Sequence, residues 1–221
     1  MPGEPTAARV VQDHWAYGRW ALASAVALWF PLNIYYVLMP HWFGLESAGA
    51  LKALINLVNP VLHSLTAVGM LLTPMLVQHQ AKDPMDHVGR TLGWIVGFFA
   101  AGSAVYLGVL WVFRFELLRL LYGGRYLEFS ALPIFLTGLL PFGATFIVTF
   151  GSTLRALNRP QQLFWSYVIS SLVAIAAGVP LTRVMGLEGA LTGLLLSYIG
   201  GSAARCWFLW HENWGRRSLA K

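Results

Sequence analysis

Charge is what this chain has least of. Only 11% of its 221 residues are Asp, Glu, Lys or Arg, whereas 57% are hydrophobic, and an ordinary soluble domain carries about 25% charged residues. A water-soluble chain of this size could not hide that much apolar surface. Acidic residues are the scarcest, nine in all, and they fall in loops and near the ends of apolar runs. That placement argues against carboxylate chemistry inside the runs. Cys206 is the one cysteine, which excludes a disulfide framework and a thiolate metal site. No HExxH pair and no glycine-rich phosphate loop is present. The opening MPGEPTAARVVQDHW has no short apolar core followed by small residues, so the first apolar run is expected to act as its own insertion signal.

The long uncharged runs themselves carry the positive content. From Phe129 to Leu154 there is no charged residue, and roughly 20 apolar residues suffice to cross the hydrocarbon core of a bilayer. Five further runs complete a set of six predicted spans, at about 20–39, 53–77, 91–113, 129–152, 160–182 and 189–210. Residues 1–14 read as a loose polar lead-in. Pro31 is a predicted kink in the first span, and His41 and Trp42 mark its interface. Gly93 and Gly97 share a face of the third span and predict close helix contact. Residues 114–124 mix Arg114, Glu116 and Arg119 with leucines, the make-up of a short helix in the headgroup layer. The fourth span is expected to be interrupted by Pro133, Pro141 and Gly143. Pro160 opens the fifth at a position where a missing N–H costs nothing, and Ser166 and Ser170 give it a small-residue packing face. Arg205 is expected near an end of the sixth, where a long side chain snorkels to water. The predicted fold is all-α, one polytopic membrane domain over 1–221 built as a six-transmembrane-helix bundle.

The net charge is +6 and the pI about 9.8, yet the basic residues cluster at the ends of runs. Anionic lipid therefore explains them better than nucleic acid. Placing the N-terminus inside puts Arg9, Arg19, Lys82, Arg90, Arg155, Arg159, Arg205, Arg216, Arg217 and Lys221 on the inner side. The outer side holds Lys52, Arg114, Arg119, Arg125 and Arg183, a ratio of 10 to 5. The positive-inside rule then predicts a multi-pass protein of the cytoplasmic membrane with both termini in the cytoplasm.

Within the second run, Lys52, Asn56, Asn59, His63, Thr66, Met70 and Thr73 recur at steps of three and four. At 3.6 residues per turn they form one stripe. Two readings compete: a hydrated face that holds sugar hydroxyls or a diphosphate, and polar glue between helices worth about 0.6 kcal/mol per bond. His63 alone reads more readily as a satisfied core histidine than as a proton carrier. Arg19, Arg155 and Arg159 sit at inner ends of runs, where guanidinium groups can grip a diphosphate or simply set topology.

At LLYGGRYLE, LRALNRPQ and the Gly186-Leu-Glu-Gly189-Ala190 turn, the chain resembles the oligosaccharide flippases of polysaccharide biosynthesis. These belong to the multidrug and oligosaccharidyl-lipid exporter superfamily. YGRW at Tyr17–Trp20, NPVLH at Asn59–His63 and LLTPML at Leu71–Leu76 resemble the start of the second half of such proteins. The resemblance implies one lobe of a MATE-like flippase, moving a prenyl-diphosphate-linked oligosaccharide without enzymatic activity or cofactor. Family members have about twelve or more helices in two six-helix lobes with the path between them. This chain has room for one lobe, so a second lobe or a homodimer partner is implied. A scaffold subunit of glycan-synthesis complexes and a drug exporter are the alternatives; the exporter would be expected to carry an acidic residue in a span. A rhomboid-type serine protease also has six helices, but Phe150-Gly151-Ser152-Thr153 lacks its second glycine and His211 falls beyond the last run.

Overall fold

A computed structural model describes residues 7–80, 85–127 and 131–219, and among them every regular element is helical. The elements are α1 (Ala7–Phe43), α2 (Leu45–Gln80), α3 (Met85–Val112), α4 (Arg114–Tyr122), α5 (Ala131–Ala156), α6 (Pro160–Val173), α7 (Val179–Met185) and α8 (Leu187–Leu219). A π-helical segment, Ala174–Gly178, joins α6 to α7 without interrupting the rod. Helix is the expected answer for such runs, because lipid offers no partner to a free N–H or C=O.

Five helical stretches among the described residues are long and apolar enough to cross a membrane: His14–Phe43, Leu45–Gln78, Arg90–Val112, Ala131–Ala156 and Pro160–Met185. They correspond to the first five predicted runs. The sixth run is also helical, in α8, but it does not reach the same apolarity. Arg205 and the Gly200-Gly201-Ser202 segment lower it. This molecule is thus a helical, membrane-compatible protein.

Several local expectations are corrected. Residues 7–14, read as a loose lead-in, belong to α1. Residues 1–6 and 81–84, the latter in the charged loop before the third run, lie outside the described residues. α5 is continuous: Pro133 falls in its first turn, where the missing N–H is harmless, and Pro141 is tolerated inside it. Thr137 and Thr145 donate their hydroxyls back to the carbonyls of Pro133 and Pro141 at 2.7 and 2.9 Å. The irregular turn falls instead in the fifth run, where the helix widens without breaking. Pro180 has no N–H for the carbonyl one turn back, and the wider π turn just before it makes room for its ring. Gly93 and Gly97 make no close contact; a Cβ at either would meet nothing within 4 Å. α3 is the least buried of the five candidate spans, so its glycines face outward.

Packing arranges α1, α2, α5, α8 and α6 as a ring of successive neighbours, with α3 set against the outer side of α5. Hydroxyl-to-carbonyl bonds tie the helices where small residues let them approach. Ser152 donates to the Gly69 carbonyl at 2.9 Å and Ser170 to the Ser197 carbonyl at 2.9 Å. The Ser166–Ser170 face is buried, as its spacing predicts.

α4 forms where the interfacial helix is expected. Leu118 on its inner side is fully buried with Leu51 and Leu54 of α2, and Leu120 on the other side is 82% exposed. The Tyr122 hydroxyl donates to the Ala53 carbonyl at 3.1 Å. Gly123, in the left-handed region at φ 60°, ends the helix. Leu118→Ala should therefore lose about 2–5 kcal/mol in a denaturation titration. Leu120→Ala should change it by less than about 0.5 kcal/mol, and equal losses would contradict this orientation of α4.

Candidate functional site

The ring of helices encloses a cleft of about 590 Å³. Its sides are Leu28, Pro31 and Leu32 of α1, Leu62, Thr66, Met70 and Thr73 of α2, and Ala144, Ile147 and Val148 of α5. Arg155, Tyr167, Ser170 and Tyr198 close it at α5, α6 and α8. The opening follows from how the apolar residues are shared. One core cluster, around Tyr35, Met39, Leu51 and Leu54, holds α1 against α2. A second, around Ala27, Leu154, Leu163 and Tyr167, draws on α1, α5, α6 and α8 but contains no residue of α2. α1 and α2 are thus held together at one end and separate toward the other, where Thr66 to Thr73 line the gap.

The predicted stripe of α2 divides accordingly. Thr66, Met70 and Thr73 line the cleft, with Met70 72% exposed. Lys52, Asn56 and His63 are exposed on the outer surface, and Asn59 is partly so. Asn59 donates to Asn56 at 3.0 Å, while Thr66 donates to the Leu62 carbonyl one turn back. The hydrogen bonds formed by these stripe residues are therefore internal to α2. Between helices, Lys52 Nζ of the stripe lies over the Tyr36 ring of α1 at 5.9 Å.

The three arginines singled out from sequence lie along three cavities that share lining residues. Arg155 lines the main cleft and also a smaller cavity of about 220 Å³ with Tyr17, Ser24, Leu28, Pro160 and Tyr167. Tyr17 and Pro160 in turn line a third cavity of about 480 Å³, which also has Arg19 and Arg159 in its wall. Arg19 and Arg159 thus share one cavity and Arg155 opens on the other two. The Arg155 guanidinium donates to the Tyr167 hydroxyl at 3.5 Å.

Arg205 departs most from expectation. It does not snorkel; its side chain has 0% exposure and is the largest fully buried one among the described residues. Its Nε donates to Ser166 Oγ at 3.0 Å and its Nη1 to the Ile147 carbonyl at 2.6 Å. The guanidinium lies over the Tyr167 ring at 4.6 Å and packs against Gly151. Among the described residues Nη2 has no hydrogen-bond partner. A hydroxyl, a carbonyl and an aromatic face hold this cation, and none is a carboxylate. Tyr167 therefore meets one guanidinium at its ring and another at its hydroxyl. Two guanidinium groups thus stand at the α5–α6–α8 wall of the cleft, and a buried charge is screened less than an exposed one.

Of the residues singled out from sequence, Arg19, Arg155, Arg159 and three of the seven stripe residues, Thr66, Met70 and Thr73, border these cavities, whereas Tyr167 and Tyr198 had been assigned no role. The one signal for them was the small-residue face of Ser166 and Ser170, which lets α8 approach closely enough to bring Arg205 inside. Among the described residues no group of three His, Cys, Asp or Glu is placed to hold a metal ion. No protein-family model, curated protein or solved structure matches the chain, so the functional reading rests on this geometry and on the sequence.

Proposed function

We propose that the chain is one lobe of a membrane transporter that moves a prenyl-diphosphate-linked oligosaccharide across the cytoplasmic membrane for surface polysaccharide synthesis. In this reading α8 makes a sixth crossing and both termini face the cytoplasm. A second lobe, or a second copy of the chain, completes the path. The observation that carries the reading is the α2 stripe, whose polar residues run from an exposed face at Asn56 and His63 into a cleft that ends on Arg155. Polar side chains exposed at membrane depth are costly unless water or another protein covers them. A headgroup moving along a two-lobed interface supplies both. The one acidic residue in the five crossing stretches, Glu46, lies in the first turn of α2, and none lies deeper in them, which disfavours the export of cationic drugs.

Asn59→Leu combined with His63→Leu is expected to reduce glycan export in cells below about one tenth of wild type, equivalent to about 1.4 kcal/mol of lost path stabilisation, with the protein still in the membrane. Exposure of the same residues outside the cleft favours a second reading, a scaffold that docks glycan-synthesis enzymes on this face. Unchanged export in the double variant, with co-purifying enzymes lost, would replace the transporter by the scaffold.

A further inference from the structure

We propose that Arg205, acting from behind the wall, makes the cleft selective for amphiphiles with a phosphate headgroup and closes it to cationic ones, with Arg155 as the group that touches the phosphate. The inference rests on the cleft being the substrate path and adds the residue that decides what enters it. Burying an arginine without a carboxylate is expensive even inside protein. Here Nη2 has no hydrogen-bond partner among the described residues. A staple between helices would have needed only a hydroxyl or an apolar side chain.

The buried cation is placed where it would act on a ligand. Ile147 and Tyr167, which hold Arg205 by a carbonyl and a ring face, both line the cleft, and the Tyr167 hydroxyl holds Arg155 on the cleft side. An anion beside Arg155 would be attracted by two guanidinium groups, one by contact and one through the aromatic ring. A cation there would be repelled by both. The remaining wall suits a chain: Leu28, Leu32, Leu62 and Ile147 offer apolar surface leading to that polar end. The matching ligand has an acyl or prenyl tail and a phosphate or diphosphate head. A membrane lipid headgroup and a free phosphate share that chemistry.

The test uses the full chain in nanodiscs of zwitterionic lipid and two probes with the same tail and opposite heads, dodecyl phosphate and dodecyltrimethylammonium. Titration calorimetry should show saturable binding of the phosphate and none of the ammonium. Arg155→Gln should weaken phosphate binding by at least about tenfold, the loss of one charge-assisted hydrogen bond. Arg205→Met should weaken it by about tenfold through lost long-range attraction, and Arg205→Lys should restore most of it. Inorganic pyrophosphate should displace the bound amphiphile, which shows that the headgroup and not tail partitioning is recognised. Equal binding of both probes, undiminished phosphate binding in Arg205→Met, or failure of pyrophosphate to compete would each overturn the proposal. Neither probe carries sugar, so a chain that binds phosphate selectively yet exports no glycan would refute the transport reading and leave the site standing.

Discussion

Gly193→Val is expected to destabilise the bundle by about 3 kcal/mol, the upper part of the range for overpacking a filled core. In most helix interiors the replacement of glycine by a residue with a Cβ is favourable, because glycine costs about 1 kcal/mol relative to alanine. Here the sign reverses. Tyr35 of α1 is fully buried, and its hydroxyl donates to the Ala174 carbonyl at 3.4 Å, where the π-helical turn begins. It reaches that carbonyl by passing between Gly178 and Gly193. A Cβ on Gly193 would collide with the Tyr35 hydroxyl and with the backbone of Gly178, and one on Gly178 would strike the same hydroxyl. Neither obstacle is a flexible chain end, so relief requires α8 to move away from the α6–α7 rod.

The milder Gly193→Ala should cost about 1–3 kcal/mol in the wild-type background. With Tyr35→Phe already present it should cost less, since one of the two collisions is gone. A double-mutant cycle, followed by unfolding in mixed micelles, should therefore give a coupling of about 0.5–3 kcal/mol. Wild-type stability in Gly193→Val would show that the two helices do not meet at these glycines.

The second large effect concerns volume against charge at a single position. Arg205→Ala is expected to lose about 2–5 kcal/mol, because truncating a fully buried long side chain leaves a cavity between α5, α6 and α8. Arg205→Met fills most of that space and removes the uncompensated cation. Buried charged groups replaced by apolar ones of similar volume are often neutral or stabilising, by up to about 4 kcal/mol. Arg205→Met should accordingly match or exceed wild type in thermal stability. The released partners are not stranded, since the Ser166 hydroxyl also donates to the Leu163 carbonyl at 2.6 Å. Thermal melts of the two variants side by side decide the matter. If Met is as damaging as Ala, the guanidinium is a structural staple and its charge is needed for folding.

Sequence and structure agree best where one run settles the outcome by itself. The first five spans and the short α4 follow from local composition. They disagree where the outcome depends on which way a helix is turned. The Gly93–Gly97 pair has the spacing of a packing motif, but α3 sits at the periphery and presents it outward. Arg205 has the position of a snorkelling residue, yet α8 is turned so that the side chain points at Tyr167. The α2 stripe is one face by periodicity, and the divergence of α1 from α2 decides that its Thr66–Thr73 part lines a cleft while Asn56 and His63 do not.

By itself the sequence determined that this is a helical membrane-compatible chain and roughly where its helices run. The reason is energetic: an uncharged stretch of such length is stable only in an apolar medium, and there its backbone must satisfy its own hydrogen bonds. Only the tertiary structure decided that a tyrosine wedges between two glycines, that a cleft opens between α1 and α2, and that an arginine is sealed behind its wall. Those arrangements depend on the rotation of each helix about its axis, and that rotation is set by contacts such as Tyr35 with Gly193 or Arg205 with Ser166, between residues far apart in the chain.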